Sequence, residues 1–309
     1  MKTAILIPCY NEASTIGKVV SDFKREMPHA DIYVYDNNSS DNTSEIAEKA
    51  GAIVRHEYRQ GKGNVVRSMF HDIHADCYIM VDGDDTYPAE EALAFEQIIL
   101  SKQADMVIGD RLSSTYFEEN DRRFHNTGNR FVRKSINMFF KSDLHDIMTG
   151  MRAFSYDFVK SFPIRSKEFE IETEMSVFAL MNNFKIKEIP IEYRDRKEGS
   201  VSKLNTYSDG MKVIRMIFAL IRDQRPLMYF SVVTLILLII AGIFFFPILF
   251  TFFQTGNVLK IPTLIVSAVV VIIAAMTFFV GVILHVLKHQ HAEELERHLI
   301  LLNEMKRKE

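Results

Sequence analysis

The chain has 309 residues, enough for one domain of about 200 residues and a further element. Hydrophobic residues make up 48% and charged residues 25%, and the formal net charge of −3 lacks the basic excess that marks a nucleic-acid binder. A mean hydropathy of +0.00 at that charged share averages a polar part with a very apolar one near the C-terminus.

In chain order, strand-like runs at Thr3 to Cys9, Ile32 to Tyr35, Ile53 to His56, Tyr78 to Val81 and Met106 to Ile108 alternate with helical patterns. The first helical pattern, Ser14 to Met27, carries Ile16, Val19, Val20 and Phe23 on one face, and the second, Asp41 to Ala50, stops at Gly51. A third runs from Asn64 to His74 behind a glycine loop, and a fourth opens near Pro88 and reaches about Lys102. The repeated βα pattern predicts an α/β domain, 1–206, with a mostly parallel sheet and helices on both faces. Met1 and Lys2 lead straight into an apolar run too short for a signal-peptide core. Cys9 and Cys77 lie in apolar runs away from metal-ligand spacing and read as buried, reduced thiols.

Between Arg111 and Lys141, Arg122, Arg123, Arg130, Arg133 and Lys134 interleave with Phe117, Phe124, Phe131, Phe139 and Phe140. That mixture suits a membrane interface, with aromatics among acyl chains and arginines on lipid phosphate. Residues 207–226 follow as an amphipathic juxtamembrane helix. Residues 227–253 and 261–287 contain no Asp, Glu, Lys or Arg, and each exceeds the roughly 20 residues that cross a bilayer. Their short connection makes a transmembrane hairpin. Arg215, Arg222 and Arg225 before it and Lys288, Arg297, Lys306, Arg307 and Lys308 after it face only Lys260 in the loop. The domain and both termini are therefore expected on the cytoplasmic side of an inner or plasma membrane. The tail, 288–309, spaces Leu295, Leu299, Leu302 and Met305 helically and is expected to pack on another copy in a homo-oligomer.

In a parallel sheet, ligands bind beyond the carboxyl ends of the strands, so the loops there carry the chemistry. After the first strand comes Pro8-Cys9-Tyr10-Asn11-Glu12, after the second Asp36-Asn37-Asn38-Ser39-Ser40-Asp41, and after the fourth Asp82-Gly83-Asp84-Asp85. The last places several carboxylates on one turn that Gly83 makes possible, a pattern for a hard cation such as Mg²⁺ or Mn²⁺. Gly61-Lys62-Gly63-Asn64 brings backbone amides and one cation to a helix start, a site for diphosphate or ribose. Asp36 can accept from a base or ribose, and Asn38 to Asp41 can equally serve as a turn and helix cap. Neither a Gly-x-Gly-x-x-Gly after the first strand nor a Walker A run occurs, which disfavours dinucleotide oxidoreductases and P-loop enzymes.

With Gly109-Asp110-Arg111 and Thr149-Gly150-Met151-Arg152 added, these motifs resemble the family 2 glycosyltransferases, specifically the polyprenyl or dolichyl phosphate sugar transferases. The likeness covers nearly the whole chain, including Arg194 to Gly199 with Ser202-Lys203-Leu204, which resembles the family's donor-closing loop. It implies a GT-A fold in which Pro8, Tyr10, Glu12 and Asp36 line the nucleoside pocket, with Lys62, Gly63, Gly83, Ser202 and Lys203 on the donor. It puts Asp82 and Asp84 at the metal and donor phosphates, Arg111, Arg196 and Ser202 near the phosphates, and Glu172 and Glu174 on a helix closing the sugar side, while Asp85 is a metal candidate from the acidic turn itself. The family often has Asp-Ala-Asp where this chain has Asp-Gly-Asp-Asp, which leaves open which carboxylates touch the metal.

The reaction so implied is inverting transfer from a UDP-sugar, glucose or N-acetylglucosamine, to undecaprenyl phosphate for cell-envelope glycan modification, with catalysis by Asp84, Arg111, Arg130 and Arg196. A phosphate monoester with a second pKa near about 6 is already largely dianionic at neutral pH, so no strong base is needed and cations do the work. The alternatives are a GDP-mannose-dependent mannosyltransferase and a non-catalytic membrane scaffold. A processive synthase is disfavoured because its Gln-x-x-Arg-Trp motif cannot exist in a chain without Trp.

Overall fold

The computed structural model describes residues 1–113, 140–168, 170–194 and 225–306, with 133, 134, 136–138, 222 and 223 besides. It separates into two units, Met1–Ile214 with Leu299–Glu309, and Arg215–His298.

The first unit is built on a seven-stranded sheet. Its strands are β1 (Thr3–Cys9), β2 (Asp31–Asp36), β3 (Ile53–His56), β4 (Cys77–Met80), β5 (Met106–Asp110), β6 (Arg152–Ser155) and β7 (Ile186–Pro190), in the order β3-β2-β1-β4-β6-β5-β7. All run parallel except β6, which lies antiparallel between β4 and β5 with Arg152 opposite both Met80 and Ile108. The chain thus leaves β5 at Asp110 and re-enters at Arg152 on the neighbouring strand.

Alternation along the strands separates two cores. Ile5, Ile7, Cys9, Cys77, Ile79, Val81 and Ala153 face α1 (Ile16–Glu26), α2 (Thr43–Ala50) and α4 (Ala92–Leu100). On the other face Tyr78 and Phe154 join Phe70 of α3 (Lys62–Asp72), Phe158 of α5 (Tyr156–Ser161) and Phe178 of α6 (Ile171–Met181). These rings pack at centroid separations of 5.1 to 6.3 Å, within the range of favourable aromatic pairs. Gly51 ends α2 in the left-handed region at φ 95°, and Ser155 caps α5 by accepting from the Phe158 amide at 3.2 Å. The expected helix after Pro88 begins as a 3-10 turn, Ala89–Glu91, before α4.

The second unit holds α7 (Pro226–Thr255) and most of α8 (Ile261–Lys306). Proline opens α7, where its missing N–H needs no partner, and Gly256 closes it at φ 70°. Both helices are long and apolar enough to cross a membrane, and only 11% and 17% of their most apolar stretches are buried, unlike a core helix. Where they meet, α8 presents Ser267, Ala274 and Gly281 at seven-residue intervals, all buried. Thr234 of α7 donates to the Ala274 carbonyl at 3.3 Å, and a Cβ on Gly281 would come 2.7 Å from that of Phe230. Small residues let the two backbones approach closely. The expected span at 261–287 and the helical tail after it belong to one helix, since α8 runs through Lys306. Most of the predicted juxtamembrane helix at 207–226 lies outside the described residues.

Candidate active site

β1, β2, β4 and β5 end at one edge of the sheet, and the reversed β6 begins there, so Thr149 to Arg152 joins the loops after the parallel strands. The first two loops are locked together. Asn11, at φ 54°, donates its backbone amide to Ser39 Oγ at 2.9 Å, and its Oδ1 accepts from the Ser40 amide at 2.8 Å. The Glu12 amide donates to Thr43 Oγ1 at 2.9 Å. Pro8 is buried in the strand while Tyr10 is exposed at the rim.

Asp36 is buried and accepts from the Ser39 amide at 2.9 Å and the Ser44 hydroxyl at 2.5 Å, so it organises the turn that follows. Asn37, which sequence reasoning left without a role, ties this turn to the loop before α3. Its amide donates to the Glu57 and Arg59 carbonyls at 2.7 and 2.9 Å, and its Oδ1 accepts from the Gly61 amide at 2.7 Å. In that loop the Arg59 hydrogen bonds hold the Glu57 carboxyl down to about 2, with help from the Ser68 hydroxyl against the cost of burial.

Glycine lets two backbones meet at the start of α3. A Cβ on Gly61, which sits at φ 122°, would come 2.1 Å from the Lys167 carbonyl oxygen, and one on Gly63 would come 2.2 Å from that of Ser166. Glu174 accepts from the amides of Arg165 and Ser166 at 3.0 and 2.8 Å and so fixes the other side of this contact. Lys62 between the glycines turns inward. Its ammonium donates to Asp82 Oδ1 at 2.5 Å and pairs with Glu172 Oε1 at 2.6 Å. The Lys62 and Glu172 side chains are 9% and 6% exposed, and that of Asp82 is 28% exposed. Burial opposes the charge on Lys62, but the two carboxylates outweigh it and hold the ammonium above its usual range.

The acidic turn divides its carboxylates among different neighbours. Asp82 lies against Gly150, where a Cβ would come 2.2 Å from Oδ2. Asp84 is buried and accepts from the Thr86 hydroxyl at 2.6 Å. Asp85, at φ 62°, is paired with Lys18 of α1 at 2.6 Å. Gly83 is required where it stands, because a Cβ there would come 2.8 Å from Cys9 Sγ, and Thr15 donates to its carbonyl at 2.7 Å.

Arg111 is held bidentately by Asp146, Nε to Oδ2 at 2.7 Å and Nη2 to Oδ1 at 3.1 Å, with its guanidinium 5.3 Å from the Tyr193 ring centre. Burial opposes that charge and Asp146 restores it. The Tyr87 hydroxyl, whose pKa burial pushes well up, accepts from the Gly150 amide at 2.8 Å. Arg152 is fully buried and donates to the carbonyls of Thr149 and Ile147 and to the Ser176 hydroxyl, binding the Thr149 to Met151 approach to α6. Burial lowers it to about 10, so it stays charged at neutral pH.

The structure therefore brings Lys62, Asp82, Gly150 and Glu172 to one point, with Gly83, Asp84 and Tyr87 beside it. Asp146 and Tyr87 carried no local signal that would have marked them. Arg130, Arg196, Ser202 and Lys203 lie outside the described residues. Among the described residues no group of three or more His, Cys, Asp or Glu is placed to enclose a metal. Two carboxylates on one turn nevertheless fit a hard cation that takes one or two protein oxygens and completes its shell with diphosphate and water.

A sequence model described as Glycosyl transferase family 2 matches residues 4–162. The chain is 36% identical over 228 residues to Glycosyltransferase AglJ of Haloferax volcanii, covering 74% of each chain. It is 29% identical over 222 residues to the Dolichyl-phosphate hexose transferase of the same organism, covering 72% of this chain and 95% of that one. Among solved structures, glucosyl-3-phosphoglycerate synthase from Mycobacterium tuberculosis in complex with Mn²⁺, UDP-glucose and phosphoglyceric acid shares the fold at TM-score 0.59. The sequence identity there is 16%, over 71% of this chain and 79% of that one.

Proposed function

Because the chain belongs to glycosyl transferase family 2, has the GT-A fold and is a transferase, we propose that it moves glucose or N-acetylglucosamine from a UDP-sugar to undecaprenyl phosphate at a membrane. The observation that carries the reading is the acidic turn at the end of β4, set beside Lys62 and Gly150 in a chain that also holds two membrane-length helices. The Haloferax hexose transferase supports a polyprenyl phosphate acceptor, and the UDP-glucose in the Mycobacterium enzyme supports the donor class.

In this reading Pro8, Tyr10, Glu12 and Asp36 bound the nucleoside, and Asp82 and Asp84 hold Mg²⁺ or Mn²⁺. That cation supplies positive charge to the departing diphosphate. Asp85 fixes the turn through Lys18. Arg111, held in plane by Asp146, lends positive charge to the same edge, and Arg196, Ser202 and Lys203 close on the donor. The acceptor phosphate needs no base to remove a proton, so Arg130 and its neighbours serve by holding it in line against its repulsion from the donor. The bulk of the chain lies on the cytoplasmic side.

The full chain in detergent, given a panel of nucleotide sugars with undecaprenyl phosphate and Mg²⁺ or Mn²⁺, is expected to form a lipid-linked sugar from one or a few donors. Chelation abolishes the product, and Asp84→Asn lowers transfer by about a hundredfold or more without loss of membrane insertion. Turnover that survives chelation, or a water-soluble alcohol that proves the better acceptor, overturns the proposal. GDP-mannose as the preferred donor replaces the UDP-sugar and leaves the rest standing.

A further inference from the structure

Lys62 opens a helix at the sheet edge, where a phosphate-binding lysine would be expected to point at solvent and ligand, yet its charge is held by two carboxylates of its own chain, the buried Glu172 and the partly exposed Asp82. One ammonium lies between the Asp82 and Glu172 carboxylates, and the buried Arg152 guanidinium adds a second positive charge near Glu172. Asp82 Oδ1 is the oxygen that Lys62 holds, and Oδ2 faces Gly150 with no room for a Cβ between them. A hard cation reaching Asp82 therefore meets a carboxylate already shared with an ammonium, and two cations on one carboxylate repel. Glu172 gives the ammonium a second place to remain. It stands on the first turn of α6, which is tied to the start of α3 through the 165–167 carbonyls and amides, so the Lys62 to Glu172 pair is a fixed unit. Asp82 belongs to a different element, the turn after β4.

Resting on the donor-site reading above, we propose that Lys62 and the divalent cation exchange on Asp82. Without the cation the ammonium bridges Asp82 and Glu172. When the cation and the diphosphate enter, Lys62 stays on Glu172 and gives the released N–H to a diphosphate oxygen. Lys62 is then a positioning residue for Asp82 and, after the exchange, a ligand of the donor. Glu172 positions Lys62 in both arrangements.

The test is binding by the full chain in detergent, with Mn²⁺ alone and UDP in saturating Mn²⁺ measured separately, and the thermal midpoint followed to check folding. Lys62→Met removes the competing cation and is expected to bind Mn²⁺ alone about threefold tighter or more. The same variant is expected to bind UDP in Mn²⁺ about tenfold weaker, through loss of one charge-assisted hydrogen bond. Glu172→Gln leaves the ammonium to Asp82 alone and weakens Mn²⁺ by about threefold or more. Opposite signs on Mn²⁺ follow from the two charges alone, so the exchange is read from them together with the UDP arm, and UDP binding in saturating Mn²⁺ that is unchanged in Lys62→Met overturns it. A loss of Mn²⁺ affinity in both, or no change in either, overturns it, because a purely structural role moves them together. If Lys62→Met does not fold, Glu172→Gln decides: weaker Mn²⁺ binding supports the exchange, and unchanged or tighter binding overturns it. A wild-type chain that binds neither Mn²⁺ nor UDP sinks the donor-site reading itself and the exchange with it.

Discussion

Gly150 shows how much of this site depends on what a residue lacks. Its missing side chain lets the Asp82 carboxylate lie where a Cβ would stand 2.2 Å away, while its amide donates to Tyr87. Gly150→Ala is expected to push Asp82 aside and lower transfer by about a hundredfold, since an error of about 1 Å in a reacting geometry is enough for that. The thermal midpoint should shift by only a few degrees, and wild-type turnover by Gly150→Ala, checked in the same lipid-product assay, would show that the contact is slack. At this scale the sequence was partly legible. Gly61, Lys62, Gly63 and the acidic turn stood out because glycines and carboxylates beyond strand ends have few structural reasons to cluster. The partners that define them did not. Glu172 for Lys62 and Asp146 for Arg111 are distant in sequence, and an ion pair between remote elements leaves no periodic or local trace.

Elements were legible in proportion to how strongly their patterns were forced. β1 and β3 match the expected bounds, and α7 and the 261–287 part of α8 declared themselves by uncharged length alone. β6 was hidden because it has only four residues, Arg152 to Ser155, and begins with a buried arginine whose hydrogen bonds, not its hydropathy, allow it there. β7, Ile186–Pro190, lies at the sheet margin, is half exposed and mixes Lys and Glu with isoleucine. In the hairpin the decisive pattern is small residues at seven-residue spacing, which a search for apolar runs passes over. Gly281→Leu is expected to drive α8 off Phe230 and lower the thermal midpoint of the detergent-solubilised chain by several degrees, at the scale of about 1–3 kcal/mol for overpacking. The same change at Val280, whose side chain faces outward, should leave the midpoint within about 1 °C. Equal shifts at the two positions would remove the close approach from the account.

For the whole molecule, the charge asymmetry around the hairpin makes a prediction independent of catalysis. Cys9 and Cys77 are buried, so a cysteine introduced at Asn257 in the exposed connection, or at the exposed His298, reports against a quiet background. Asn257→Cys should be labelled on intact cells by a membrane-impermeant maleimide, and His298→Cys only after permeabilisation. The reverse pattern would invert the orientation. The antiparallel β6 has a consequence of another kind. The chain departs at Asp110 and comes home at Arg152 on adjacent strands, so whatever is spliced between those points closes on itself without shifting the sheet. Doubling the length of such an excursion costs only about 0.6 kcal/mol in closure entropy. An insertion within that excursion therefore weighs little on the sheet as long as Arg111, Asp146 and Gly150, which build the site, keep their places.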